Sequence, residues 1–301
     1  MTQNDTQLDP QQYPDKDVYG VIGNPVAHSL SPLIHHQFAQ QAHQNILYGK
    51  LFSDVEQFEK TVDTFFSRGG KGLNITVPFK LRAFNVCARL TDRAKAAGVV
   101  NILWQENGQY VGDNSDGLGL VRDIKNSQFI INKKNILLIG AGGAVQGVVL
   151  PFLNEQPHSI VITNRTLEKA QKIVERFKAQ AKQVNTSLRA ISLHHLEQEK
   201  EPFDIIINGT STGLDQVSPL TDSQVKSLTN IPAQALAYDM VYGKTTVFMQ
   251  QMQEQGLNVK DGLGMLVEQA AVAFEVWRGG NSRFELNTKI VLASLSQKVN
   301  T

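Results

Sequence analysis

Residues 135–144 read Asn135-Ile-Leu-Leu-Ile-Gly140-Ala-Gly142-Gly143-Ala144. An unbroken aliphatic run closed by glycine predicts a strand buried on both faces, and the glycines after it predict a tight turn into a helix. Such a turn lets the backbone approach a pyrophosphate, whose charge meets the helix N-terminus. The sixth position of the G-x-G-x-x-G pattern is Val145 rather than glycine, and similar turns also occur in strand–helix junctions that hold no ligand. The next strand-like run, 159–164, narrows the choice, because it ends in Asn164-Arg165-Thr166 with Lys169 a helical step further on. An acid at that place would bind a ribose 2′-hydroxyl, whereas an arginine and a lysine attract a 2′-phosphate. The pair of signals predicts a Rossmann-type unit that binds NADP.

Outward from this stretch, strand-like and helix-like segments alternate along most of the chain, which predicts an α/β fold with parallel sheets. Strands are expected near 18–23, 47–52 and 73–77, and helices over 31–43 and 55–68. The apolar runs 99–104 and 109–112 flank Glu106-Asn107-Gly108, a hairpin signal. Ser115 opens a helix to about 125, and the polar stretch 126–134 reads as a linker. Further strands are expected at 203–208 and 237–241, further helices at 143–153 and 167–181, and helix from 264 to the end, broken by Arg278-Gly279-Gly280.

Composition sets bounds. Lys plus Arg number 29 against 28 Asp plus Glu, a formal charge of +1, which speaks against nucleic-acid and membrane-surface partners. Cys87 is the only cysteine, so an internal disulfide and a cysteine metal cluster are excluded, and a cytoplasmic setting is expected. No metal is called for, since the histidines are dispersed. No run approaches the ~18 apolar residues of a membrane span. The first sixteen or so residues, polar and without the apolar core of a signal peptide, read as a mobile tail.

Three other segments concentrate polar residues at expected strand ends: Gly23-Asn-Pro-Val-Ala-His-Ser29-Leu-Ser31-Pro32, Gly72-Leu-Asn74-Ile-Thr76-Val-Pro-Phe-Lys80, and Gly112-Asp-Asn-Ser115-Asp116-Gly-Leu-Gly119, the last preceded by Asn101. Taken singly, each has an ordinary explanation. Ser29 or Ser31 could cap a helix, Asn74 and Thr76 could be the polar face of a strand, and Lys80 could be a solvated lysine. Cys87 is read as a small core residue in a helical stretch, 84–90. Phe274 and Trp277 are read as packing between domains.

Together with Gly140-Ala-Gly-Gly-Ala144, Asn164-Arg-Thr166 and Asp261-Gly-Leu-Gly-Met-Leu-Val-Glu-Gln269-Ala, these segments closely resemble shikimate dehydrogenases, in the order and spacing of that family, over about 18–277. The resemblance implies a split substrate domain, 14–116 with 252–301, around an NADP-binding Rossmann domain, 117–251. It implies NADPH-dependent, reversible reduction of 3-dehydroshikimate to shikimate on the route to aromatic amino acids, by a monomer or homodimer. It implies that Ser29 and Ser31, assisted by Tyr242, bind the substrate carboxylate, and that Asn74, Thr76, Asn101 and Gln269 bind the ring hydroxyls. Lys80 and Asp116 then form the catalytic pair, also touching substrate. Gly140, Ala141, Gly142, Gly143 and Ala144 cradle the pyrophosphate, while Asn164, Arg165, Thr166 and Lys169 meet the 2′-phosphate. Thr210, Ser211 and Gly262 lie towards the nicotinamide.

Departures are few. Ser115 stands where threonine is frequent, and Gln146 replaces an arginine near the phosphates. A quinate/shikimate dehydrogenase preferring NAD, a glutamyl-tRNA reductase and a non-catalytic NADP-binding sensor are the competing readings. Asn164-Arg165-Thr166 speaks against the first, the absence of a suitable cysteine against the second, and the presence of Lys80 with Asp116 against the third.

Overall fold

The computed structural model describes residues 6–228, 232, 234–279 and 284–299. The chain divides into two compact units, Met1–Gly119 with Leu266–Thr301, and Leu120–Met265.

The first unit opens with β1 (Asp17–Gly23), α1 (Ser31–Gln41), β2 (Ile46–Phe52), α2 (Phe58–Ser67) and β3 (Gly72–Ile75), then α3 (Lys80–Val86), β4 (Arg89–Leu90), α4 (Asp92–Ala97), β5 (Ile102–Glu106), β6 (Gln109–Asp113) and the start of α5 (Asp116–Asn126). Its sheet runs β2-β1-β3-β5-β6-β4. β1 lies parallel to β2 and β3, and β5 lies antiparallel to β3 and β6. The expected hairpin forms with Glu106 opposite Gln109, and its two turn residues, Asn107 and Gly108, take φ of 51° and 76°. That is the turn whose twist matches paired strands.

The second unit contains β7 (Asn135–Ile139), α6 (Gly143–Asn154), β8 (Ser159–Asn164), α7 (Leu167–Gln183), β9 (Ser187–Ser192), β10 (Ile205–Asn208), α8 (Asp222–Ser227), β11 (Leu236–Asp239), α9 (Val247–Glu254) and β12 (Asn258–Lys260). Its sheet runs β12-β11-β10-β7-β8-β9, and every pairing is parallel. The central β7 and β10 are buried along nearly their whole length because helices cover both faces, so their sequences read as unbroken aliphatic runs. The chain returns to the first unit within α10 (Leu263–Arg278) and ends in α11 (Thr288–Val299). Among the described residues no helix is long and apolar enough to cross a membrane.

Several expectations shift. The N-terminal segment from residue 6 is ordered, not a loose tail: Gln7 bridges to Leu51, Leu8 packs over Gly20 and Gly49, and Asp9 accepts from Arg68 at 2.8 Å. One leucine in a polar stretch suffices because the two glycines lie side by side and leave a notch. Residues 1–5 and Gly280 lie outside the described residues. The boundary read at 251/252 moves, since β12 adds to the β11 edge and keeps 252–265 with the second unit. Cys87 ends α3 in an extended conformation instead of continuing a helix, and Arg89–Leu90 pair with β6. It is half-buried against the core, where desolvation pushes its thiol up to about 12. Phe274 and Trp277 pack inside the first unit: Trp277 stacks on Tyr19 at 4.9 Å, and Phe274 meets Phe38 at 6.1 Å.

His35 is the oddity of this core. It is fully buried, lies flat on Tyr48 with ring centroids 4.0 Å apart, and offers two ring nitrogens to no hydrogen-bond partner. Burial lowers its pKa from 6.5 to about 3, with Asn74 nearby offsetting part of the shift. The folded chain therefore holds this imidazole neutral while the unfolded chain protonates it below about 6.5. The associated stability is complete above that pH and is lost as pH falls towards 3, at about 1.4 kcal/mol per pH unit. His35→Phe keeps the stack and deletes the orphan nitrogens. Urea midpoints at pH 7.5 and pH 5 should differ less in this variant than in the wild type, and an unchanged difference would rule His35 out as the source.

Candidate active site

In the first unit the polar strand ends come together. Lys80 is the first residue of α3, where a cation opposes the helix dipole, and Asp116 is the first residue of α5, where a carboxylate is favoured. Lys80 Nζ donates to Asp116 Oδ2 at 2.6 Å, so the misplaced charge is held by the well-placed one. The side chains are 29% and 9% exposed, a pair open to a ligand chiefly from the lysine side.

Asn101 joins this pair to its surroundings. Its Nδ2 donates to Asp116 Oδ1 at 2.8 Å, to Ser115 Oγ at 3.1 Å and to Gln269 Oε1 at 3.2 Å, while its Oδ1 accepts from the Ser115 backbone at 2.9 Å. The turn before Asp116 is braced from below: buried Asp113 accepts from Arg93, Thr91 and the Asn114 N–H, and Asn114 accepts from the Asp116 N–H. Arg93, Thr91 and Asp113 have no counterpart among the residues expected from sequence, because their role depends on contacts between separate strands and helices.

Asn74 lies on β3, buried, donating to the Asn101 carbonyl at 3.1 Å and accepting from the Tyr48 hydroxyl at 2.7 Å. Tyr48 belongs to none of the sequence motifs. Burial raises its pKa well above 10.0, with Ser31 close enough to offset part of the rise, so the phenol stays a neutral donor. The Ser29 hydroxyl donates to Ser31 Oγ at 3.2 Å and accepts from the Ser31 N–H at 3.3 Å. Neither serine side chain caps α1, whose N-cap is Leu30, so the capping alternative is not realised. Thr76 is half-buried just past β3. These groups present hydroxyls, amides and one ammonium, a donor set suited to a small polyhydroxylated ring.

In the second unit, Gly140 takes φ +112°, a conformation that strains any other residue, and a Cβ there would lie 3.1 Å from Thr210. Gly142 is the N-cap of α6, no side chain caps the helix, and nothing lies within 4 Å of where its Cβ would be. The first N–H groups of α6, from Gly143 and Ala144 onwards, are thus open to an anion, with buried Ala141 behind them. Val145 at the sixth position is accommodated by its neighbour: a Cβ on Gly209, after β10, would meet Val145 at 2.5 Å. The room that a fingerprint glycine normally provides comes from the adjacent strand end.

At the end of β8, Asn164 donates to the Thr166 carbonyl at 2.9 Å. Arg165, Thr166 and Lys169 are exposed, and among the described residues no carboxylate pairs with either cation. Gln146, on the first turn of α6, accepts from Arg176 of α7 at 3.3 Å, which brings a guanidinium to the place where a charge is missing from the sequence pattern. Thr210 donates to Asn208 Oδ1 through N–H and hydroxyl at 3.0 and 2.7 Å, and Asn208 in turn donates to buried Asp239 at 3.1 Å. Asp239 also accepts from Thr246 at 2.7 Å and from the Val241 N–H at 3.0 Å, so one carboxylate fixes both loops. Ser211 is exposed, and Tyr242 is partly buried with its pKa raised by burial. Gly262 approaches so closely that a Cβ would sit 2.3 Å from the Met240 carbonyl. Among the described residues no cluster of His, Cys, Asp and Glu could hold a metal.

The sequence model of the shikimate dehydrogenase substrate binding domain matches residues 21–103, that of shikimate / quinate 5-dehydrogenase matches 123–240, and that of the shikimate 5′-dehydrogenase C-terminal domain matches 262–279. The chain belongs to the shikimate dehydrogenase family. Among curated members of the shikimate dehydrogenase family, the NADP(+) enzyme of Cupriavidus taiwanensis is 46% identical over 295 residues, 96% of each chain. That of Cellvibrio japonicus is 47% identical over 267 residues, 87% of this chain and 92% of its own. Of solved structures, the Ael1 enzyme from Pseudomonas putida superposes with a TM-score of 0.83 at 42% identity, over 93% of this chain and 98% of that one. The shikimate 5-dehydrogenase of Thermus thermophilus, solved in complex with NADP(H) and shikimate, superposes with a TM-score of 0.78 at 26% identity, over 94% and 99%. Within the shikimate dehydrogenase matches, the substrate-domain model spans Ser29 to Asn101, and the central model spans the turn at Gly140 and the loop at Thr210.

Proposed function

We propose that this chain is an NADP-dependent shikimate dehydrogenase that interconverts 3-dehydroshikimate and shikimate. The observation that carries the chemistry is Lys80 held at 2.6 Å by Asp116, itself held by Asn101. NADPH, when bound, supplies the hydride to the substrate carbonyl carbon. The oxygen then develops negative charge and needs a proton. Lys80 donates it from Nζ, and Asp116 keeps the ammonium aimed and accepts a hydrogen bond from a ring hydroxyl. A positioned donor of this kind contributes about 10²- to 10⁴-fold. In the reverse direction Lys80 takes the proton from the shikimate hydroxyl.

Ser29 and Ser31, with Tyr242, bind the carboxylate, and Asn74, Thr76, Asn101 and Gln269 bind ring hydroxyls. The open N-terminus of α6 and the glycine turn 140–144 hold the pyrophosphate, and Asn164, Arg165, Thr166 and Lys169 hold the 2′-phosphate. Thr210, Ser211 and Gly262 border the nicotinamide. The proposed division of labour gives the substrate, Tyr242 apart, to the first unit and the cofactor to the second. A cytoplasmic monomer or homodimer acting on small molecules, with no nucleic acid, completes the reading and is supported by the near-neutral charge and the single thiol.

Absorbance of NADPH formation tests this with shikimate and quinate, each with NADP and NAD. Turnover of shikimate with NADP well above the other three pairs is expected. Equal use of quinate, or a preference for NAD, would place the chain in the dual-specificity branch. No turnover with any pair would sink the assignment.

A further inference from the structure

We propose that Lys50 is a further substrate-binding residue, the cation that meets the substrate carboxylate beside Ser29 and Ser31. The inference rests on the functional reading above and adds a charge to a subsite otherwise made of hydroxyls.

Lys50 and Tyr48 are two residues apart on β2 and so share one face of the sheet. Tyr48 shows where that face points: its ring stacks on His35 of α1, and its hydroxyl reaches Asn74. Lys50, further along the strand, donates from Nζ to the Ala27 carbonyl, in the loop that carries Ser29 and Ser31. That loop folds back on itself, with the Ser29 N–H donating to the Val26 carbonyl at 3.1 Å. The lysine is half-buried, yet among the described residues no carboxylate pairs with it. An ammonium has three donors, and one carbonyl uses one of them.

A half-buried, uncompensated cation is costly unless an anion completes it. The groups around this one favour an anion as well. Ser29 and Ser31 offer hydroxyls at the N-terminal end of α1, where the helix dipole places partial positive charge. A carboxylate entering here meets hydroxyls and the ammonium together. Holding the loop through Ala27 is a second task of Lys50, and the two tasks separate by substitution.

Lys50→Gln keeps a donor for the Ala27 carbonyl and deletes the charge. Lys50→Met deletes both, and Lys50→Arg keeps the charge. Steady-state kinetics with shikimate and NADP, together with thermal midpoints, resolve the roles. Glutamine and methionine should each raise KM for shikimate by about 10- to 100-fold, the usual scale of a hydrogen bond to a charged group. The kcat should stay within about threefold, KM for NADP should not move, and arginine should restore most of the affinity. If Lys50→Gln keeps the wild-type KM, the charge plays no part and the proposal is overturned while the enzyme assignment stands. If the wild type itself fails to oxidise shikimate with either nucleotide, the functional reading has failed first.

Discussion

Lys80→Met is expected to lower kcat for shikimate oxidation by about 10²- to 10⁴-fold, with KM for shikimate and for NADP changing by less than tenfold. Methionine keeps the length of the side chain but can neither take nor give a proton. The variant should fold. Lys80 is the first residue of α3, where its charge opposes the dipole, so removing it costs the helix nothing. Asp116 loses one partner but keeps Asn101 at 2.8 Å, and it sits where the N-terminus of α5 favours a carboxylate. Loss of rate without loss of thermal stability would therefore isolate the chemical role. A kcat within threefold of wild type would show that the proton moves by another route, and the pair would then be a structural ion pair. Asp116→Asn separates the partners further. It keeps the side-chain shape but removes the charge that aims the ammonium and leaves one acceptor oxygen for two donors, so its fall in kcat should be smaller than that of Lys80→Met.

The parts of the fold legible in the sequence are those whose cause is local. The run Ile136-Leu-Leu-Ile139 is unbroken because β7 is covered on both faces, and Asn107-Gly108 adopts the turn its side chains favour. The edge strands of the second sheet were not legible. β9 is only partly covered and carries Arg189 in its middle, while β12 has three residues, too few for a periodic pattern. Their positions come from the strand beside them rather than from their own composition. The site divides in the same way. Lys80, Asp116 and the glycine turn stand in motifs, so sequence finds them. Tyr48, Asp113 and Asp239 act on partners far away in the chain, Tyr48 on Asn74 and Asp239 on Asn208 and Thr246. Only the folded arrangement brings those partners within reach. Val145 is the instructive departure: as an exception to the fingerprint it weakens the motif, and the reason it is harmless lies in Gly209, on a different strand.

Arg165→Gln combined with Lys169→Gln is expected to cut kcat/KM with NADP by about 10²- to 10³-fold and to leave kcat/KM with NAD nearly unchanged. The estimate counts two hydrogen bonds from charged donors to phosphate, each contributing about 1.5–3 kcal/mol, reduced for exposure. Both side chains are exposed and, among the described residues, neither is paired with a carboxylate, so their removal leaves no buried charge and should not unfold the second unit. The prediction discriminates because the two nucleotides differ only in the 2′-phosphate: an effect on the cofactor pocket as a whole would weaken both alike. Asn164→Asp is the complementary change. It places an acid where a ribose 2′-hydroxyl would be bound and a phosphate repelled, so it should weaken NADP and favour NAD. Ionic strength gives an independent reading. If the cations act by charge, wild-type KM for NADP rises with salt because exposed charges are screened, and the double variant loses most of that dependence. A variant that loses NADP affinity but keeps the wild-type salt dependence would move the 2′-phosphate contact elsewhere, with the Arg176 guanidinium on Gln146 as the next cation to substitute.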